Sequence, residues 1–340
     1  MTALLTRRRC VLTIAPYALL ALAAWAGAPF VGSERVRPGR VWADFRQPSD
    51  RWSADTRILL HHRLPRVTLG LLAGGSLALV GGVYQVVLRN PLATPYTLGV
   101  TGGAAVGAYL ACAFPRLAVS FGPFSAIQLL ALVGAVATLS LIWLLARGPQ
   151  GASMNTLLLA GVTVGILCGA LLLLIRYLAN PEVLVSMDRW LMGGLDIVGY
   201  GQLIGLLPLL LPGWVLLWAQ QTALNHLALG EEMALGHGID VAAVQRQGLV
   251  GGALVTAAVV SLAGPIAFVG LLIPHIVRRL SGLDHRVVLP ASFCGGGAFL
   301  VACDTLARTL VAPTEIPVGV FTALLGGPFF LWLLFRRSSP

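Results

Sequence analysis

The sequence predicts an all-α integral membrane protein, a polytopic bundle of about ten transmembrane helices forming one domain over residues 1–340. Three observations carry this. Hydrophobic side chains make up 57% of the chain and charged ones 11%, where a soluble domain holds about a quarter charged residues. Mean hydropathy is +0.85. The apolar residues fall in runs of membrane length, and 40 glycines favour close helix packing over flexible linkers.

Taken in order, the first apolar run follows Arg7-Arg8-Arg9 and extends from Val11 to Val31. It begins like a signal peptide, but it is too long and lacks a small-residue cleavage site, so it reads as a retained helix. The second, 67–88, is preceded by Arg63-Leu-Pro-Arg66 and followed by Arg89-Asn90-Pro91-Leu92-Ala93-Thr94-Pro95-Tyr96-Thr97-Leu98-Gly99. About twenty residues rising ~1.5 Å each cross roughly 30 Å of hydrocarbon. The charged entrance and the proline-punctuated turn therefore lie on opposite faces, which is how a passage with two gates would be built.

Further spans run at 97–114, 124–146, 155–179, 199–219, 243–262, 288–310 and 316–335, and another, 265–280, is interrupted by Pro265 and Pro274. Gly161, Gly165 and Gly169 stand four apart on one face of the fifth span, where another backbone can approach closely. Nine or ten crossings result. Ten places both termini on one side, and the arginine clusters at 7–9 and 336–337 argue for the cytoplasm. Eleven arginines then lie inside and twelve outside, eight of them between Arg35 and Arg66, so charge bias alone does not orient the chain. A docking partner with an acidic surface would explain a basic 32–66 loop.

All 23 basic residues are arginine. A Walker A loop needs lysine, so any ATPase driving this chain sits on a separate subunit. The arginines are scattered among apolar spans without a basic helix and interleaved aromatics, which argues against nucleic acid. Five cysteines without C-x-x-C spacing read as small buried hydrophobes, and no histidine spacing suits a metal. No catalytic constellation is visible.

Four groups could carry function. The 220–242 connection contains Leu227-Ala-Leu-Gly-Glu231-Glu232-Met-Ala-Leu-Gly236-His-Gly238, either a small helix across the cytoplasmic face or a solvated connector. Arg176 is the one charge deep in an apolar run, and it either snorkels or faces a cavity that suits an anionic cargo. Asp304 and Arg308, four apart, predict a local ion pair, with Glu315 beyond the turn. His61-His62 adjoin Arg63.

From Arg63 onward the chain resembles the permease subunits of type II ABC importers for haem, ferric siderophores and cobalamin, the FecCD-type permeases. The matching pieces are RLPR at 63–66, RNPLATPYTLGV at 89–100, LLLAGV at 157–162, LGEEMALG at 229–236, AGPIAFVGLLIPHIVRRLSGLDHRVVLP at 264–290 and DTLARTLVAPTEIPVGVFTALLGGPFFLWLL at 304–334. The resemblance implies a multi-pass protein of the bacterial inner membrane with short cytoplasmic coupling helices. It implies a homodimer bound to two cytoplasmic ATPase subunits, which hold ATP and Mg, and served by a periplasmic substrate-binding protein. The permease itself binds no cofactor and is not an enzyme.

It further implies that Arg63, Arg66 and Arg308 dock the binding protein through its glutamates. Leu229, Gly230, Glu231, Glu232, Ala234 and Gly236 would couple to the ATPase, and Asn90, Leu92, Met154 and Asn155 would form the cytoplasmic gate. Arg176 is the candidate on the cargo path. Ser186 to Gly194 departs from the tryptophan and Gly-Ser turn of many relatives. Arg176, with Arg189, favours an anionic cargo, which ranks haem before a ferric siderophore and cobalamin. The alternative from another class, an ion-coupled secondary transporter, would need Asp304 near the midplane.

Overall fold

The computed structural model describes residues 6–32, 34–48, 51–114, 120–122, 124–148, 151–152 and 154–337. The helices are α1 (Arg7–Gly27), α2 (Pro38–Asp44), α3 (Ala54–Ile58), α4 (Leu64–Val87), α5 (Val100–Ala113), α6 (Ala126–Ala146), α7 (Met154–Leu178) and α8 (Pro181–Leu191). They continue with α9 (Gly201–Trp218), α10 (Gln221–Leu227), α11 (Glu231–Gly236), α12 (Val241–Ala263), α13 (Val269–Ser281), α14 (His285–Thr309) and α15 (Val318–Arg337). A two-residue antiparallel pair, β1 (Arg147–Gly148) with β2 (Gly151–Ala152), closes the turn between α6 and α7.

A helix lies within each apolar segment of the sequence. Among the described residues seven are long and apolar enough to cross a membrane, and Val100–Ala113 and Val318–Trp332 are shorter apolar helices. The centre of the bundle is α4, packed on α14, α13 and α12. Leu69, Ala73, Leu77, Val80 and Tyr84 line it without solvent exposure. Tyr84 donates its hydroxyl proton to the Leu249 carbonyl at 3.0 Å, tying α4 to α12.

Two differences from the sequence reading have physical causes. The second helix does not begin at Val67: a continuous helical run starts at Ala54 and passes through a π-helical turn at Leu59–Arg63. Arg63 and Arg66 are thus inside a rod, and the described residues of the 32–66 segment fold against it rather than forming an open loop. Val36, Val41 and Leu59 form its own small core. Asp44 accepts hydrogen bonds from the Ser53 hydroxyl, the Thr56 hydroxyl at 2.6 Å and the Ser53 amide at 2.9 Å, which together hold its carboxyl below the usual range.

The second concerns the span expected to be interrupted at Pro265 and Pro274: the break falls at Pro265 as expected, but Pro274 lies inside α13. Residues 264–268 are non-helical, and α13 starts only after Phe268, whose φ is 67°. Non-helical backbone at membrane depth survives only where protein satisfies it. Tyr96 does so: its hydroxyl donates to the Ile266 carbonyl at 2.6 Å and accepts from the Ile266 amide at 3.0 Å. Tyr96→Phe orphans both groups, and each buried unsatisfied group costs about 1–3 kcal/mol. The expected result is a lower melting temperature of the detergent-solubilised protein with the helix content of the folded state unchanged. An unaltered melting temperature would mean that Tyr96 does not support this turn.

The glycine stripe of the fifth span is only partly used as expected. A methyl on Gly161 would lie 2.8 Å from the Thr97 carbonyl, so α7 does pack tightly on the 97–99 turn there, whereas at Gly169 nothing lies within 4 Å.

Candidate functional site

The side chains expected to dock the binding protein and to couple to the ATPase gather near the two ends of α4. At the N-terminal end, Arg63, Arg66 and Arg308 share a cavity of about 430 Å³ with Glu34, Asp196 and Glu315. A resemblance-based docking surface would have these arginines pointing outward, but the geometry is more internal. Arg63 is buried, and its guanidinium donates to the Pro29 carbonyl at 3.0 Å and to the Glu34 carbonyl. Arg308 is buried too, and it donates from Nε to Asp304 Oδ2 at 3.0 Å, the local pair the sequence spacing predicts.

Arg66 connects this pair to the rim. Its Nη2 donates to Asp304 Oδ1 at 2.9 Å, and its Nη1 lies 3.0 Å from Asp196 and 2.8 Å from Glu315. Asp304 is 2% exposed, Asp196 70% and Glu315 44%. The buried carboxylate is held by two arginines, while the exposed ones leave Arg66 a removable pair of partners. Asp196 escaped the sequence reading because it lies 130 residues from Arg66 with no pattern joining them.

At the other end, Arg89 sits in the left-handed region at φ 48°. The Asn90 side chain accepts from the Leu92 amide at 2.9 Å, which makes the turn an Asx turn and leaves Leu92 exposed. Arg89 Nη2 reaches Glu231 Oε1 at 2.9 Å, and Gln245 Nε2 of α12 donates to the same oxygen at 3.0 Å. Glu231 opens α11 after Gly230, which takes φ 122° to let the chain turn into the helix. Ala234 is buried beneath it, whereas Leu229, Glu232, Met233, Leu235 and Gly236 are exposed. The small-helix reading of this loop therefore holds, and α10 adds a second short helix before it.

Asn225 of α10 carries the same assembly to α14. Its Nδ2 donates to Asp284 at 2.9 Å, and its Oδ1 accepts from the His285 amide at 2.7 Å. Burial pushes the Asp284 carboxyl upward, yet hydrogen bonds from Arg286 and Asn225 outweigh it and hold it at about 2. The side chains of Met154 and Asn155, expected at the gate, lie outside the described residues.

Arg176 is the clearest change to the sequence reading. It is half-exposed on α7 and forms a two-pronged pair with Asp188 of α8, the second contact being 3.0 Å. Its charge is neutralised within the protein, so it provides no argument for an anionic cargo. The partner lies twelve residues away across the Pro181 break, beyond any helical spacing rule. Arg189 remains exposed on α8. Among the described residues no group of His, Cys, Asp or Glu could hold a metal ion.

The fold is a many-helix membrane bundle with charged groups at both ends of one central helix. The FecCD transport family model matches residues 19–336, and the chain belongs to that family. The haemin transport system permease HmuU of Yersinia pestis is 38% identical over 85% of this chain and 87% of its own. The cobalamin import system permease BtuC of Halobacterium salinarum is 43% identical over 81% of this chain and 73% of its own. A solved structure of a metal-chelate type ABC transporter in an inward-facing conformation superposes with a TM-score of 0.82 at 29% identity, covering 95% of this chain and 98% of its own. This chain is a permease subunit of an ABC transporter, not an enzyme.

Proposed function

We propose that this permease moves a metal-bearing macrocycle across the bacterial inner membrane by alternating access, as a homodimer with two cytoplasmic ATPase subunits and a periplasmic binding protein. Both termini lie in the cytoplasm in this reading. The observation that carries it is the Arg89–Glu231 pair: α11 is fastened to the turn that ends α4, and α4 begins at the arginine mouth. Its 24 residues span roughly 36 Å at ~1.5 Å each. A push on α11 therefore reaches both gates through one rigid element, which rocks between two packings.

Two features support α11 as the ATPase contact. Leu229 just before it and Met233 and Leu235 on it expose apolar side chains, which a partner cleft would cover. Arginine at φ 48° costs about 1 kcal/mol or more that glycine would avoid, a strain retained where the side chain is needed. At the mouth, acidic groups of the binding protein would take the places of Asp196 and Glu315 on Arg66. Arg63 and Arg308 would then act chiefly by holding the mouth in shape.

Haem and cobalamin both present a flat metal macrocycle, and relatives named for each cover four-fifths of this chain or more. With Arg176 neutralised, the charge argument for haem falls away. Neither identity nor coverage favours the haem relative over the cobalamin relatives, so these two cargoes rank together, ahead of a ferric siderophore. Asp304, the candidate group for an ion-coupled carrier, is held by two arginines, which weighs against that alternative.

The test is uptake into proteoliposomes containing this chain, its ATPase and its binding protein, with haem, cobalamin and a ferric siderophore offered separately. Accumulation that needs ATP and the binding protein is expected, and ATP-independent uptake would overturn the reading. Arg89→Glu and Glu231→Arg should each lower uptake about fivefold while ATP hydrolysis continues, since ~1 kcal/mol of coupling is at stake. The double reversal should recover most of the loss. Full uptake by both single variants would dispose of this link.

A further inference from the structure

We propose that the groove between α6 and α12 binds one anionic phospholipid from the leaflet on the coupling side. The groove encloses about 460 Å³ and runs from Ala135 to Leu144 on α6 and from Arg246 to Leu254 on α12. Its floor is apolar and closed, with Ala135, Leu249 and Ala253 almost fully buried. Ser140 and Leu144 are exposed along its rim.

The two helices are antiparallel here, so the polar and apolar ends of the groove are set by sequence. Gly103 of α5 abuts Thr138 of α6 and Gly107 abuts Leu130, while Val83 and Tyr84 near the end of α4 abut Gly248 and Gly252 of α12, which places Arg246, Trp143 and Leu144 toward the coupling end of the lining and Leu254 and Ala135 toward the other. Arg246 follows Gln245, which holds Glu231, so the arginine lies at the coupling face of the bundle. From there the lining extends roughly 12–14 Å toward the centre at ~1.5 Å per residue. That is about half of a ~30 Å hydrocarbon core, the depth of one acyl chain in one leaflet.

Charge identifies the occupant's head group. Arg246 is exposed, lines the groove, and among the described residues forms no ion pair. A cation without a carboxylate partner, set above an apolar slot of leaflet depth and beside a tryptophan at interface height, fits a lipid phosphate with an added negative charge. A zwitterionic lipid would fill the slot but leave the arginine poorly matched. The inference stands apart from the cargo, because it needs only that the groove faces lipid.

The experiment is native mass spectrometry of the purified permease equilibrated with equal phosphatidylglycerol and phosphatidylcholine. Wild-type protein should retain one phosphatidylglycerol per chain in preference to phosphatidylcholine. Arg246→Gln should cut that preference roughly fivefold, the effect of one charge near an anionic surface, and Val250→Trp should reduce retention of both lipids by filling the slot. Equal phosphatidylglycerol retention by wild type and Arg246→Gln overturns the proposal. So does efficient disulfide cross-linking of Ser140→Cys between two copies in membranes, which would make the groove a protomer interface.

Discussion

Replacing Asp304 with asparagine should destabilise the protein by roughly 3–5 kcal/mol, the usual consequence of removing one partner from a buried ion pair. The reason is geometric. Asp304 accepts from Arg66 through Nε at 3.1–3.2 Å and Nη2 at 2.9 Å, and from Arg308 through Nε at 3.0 Å. The Arg308 side chain is only 5% exposed, so it cannot turn to water when its partner is lost. Asparagine keeps the shape of the carboxylate but not its charge, which leaves the buried Arg308 cation without its carboxylate while Arg66 keeps Asp196 and Glu315.

Thermal unfolding in detergent checks this, together with the amount of folded protein recovered from membranes. A companion variant guards against a trivial reading. Asp304→Asn combined with Arg308→Met removes a buried cation with its partner, and it should melt above the single variant, since apolar replacement of a buried pair is often neutral or favourable. An unchanged melting temperature for Asp304→Asn would show that Arg66 and Arg308 are satisfied elsewhere. The prediction concerns stability and is independent of whether a binding protein docks at this mouth.

These arginines also show how far the sequence could be read. The helices were legible because a bilayer demands apolar runs of fixed length, and each run contains one. The Asp304–Arg308 pair was legible because helical neighbours lie four apart. The burial of Arg63 was not, since it depends on carbonyls of Pro29 and Glu34 supplied by a segment that folds back. That segment has little hydrophobicity of its own, and three side chains and one capped aspartate organise it. The partner of Arg176 was missed for a related reason: by pattern Arg176 is a lone charge in an apolar run, but Asp188 sits past a helix break. Patterns report what a residue shares with its helix and are silent on what a distant segment brings to it.

The second large effect is expected at Gly81. A methyl group there would sit 1.8 Å from the Gly270 carbonyl oxygen and 2.5 Å from its carbonyl carbon. Both are backbone atoms, so no rotamer change relieves the clash, and α4 must separate from α13 by more than an ångström. Gly270 is itself pinned, with the Leu77 carbonyl 2.7 Å and Pro95 2.8 Å from where its own methyl would be. Overpacking of this kind typically costs 1–3 kcal/mol and more where the neighbour is rigid. The penalty is not confined to stability, because α4 carries the mouth arginines at one end and Arg89 at the other. Gly81→Ala should therefore lower both the melting temperature and ATP-driven uptake. Gly169→Ala is the control: alanine is the better helix former by about 1 kcal/mol, and nothing lies within 4 Å of the new methyl. It should melt at or above the wild-type temperature. Equal behaviour of the two variants would mean that α4 and α13 do not meet backbone to backbone, and that the central rod has room to shift.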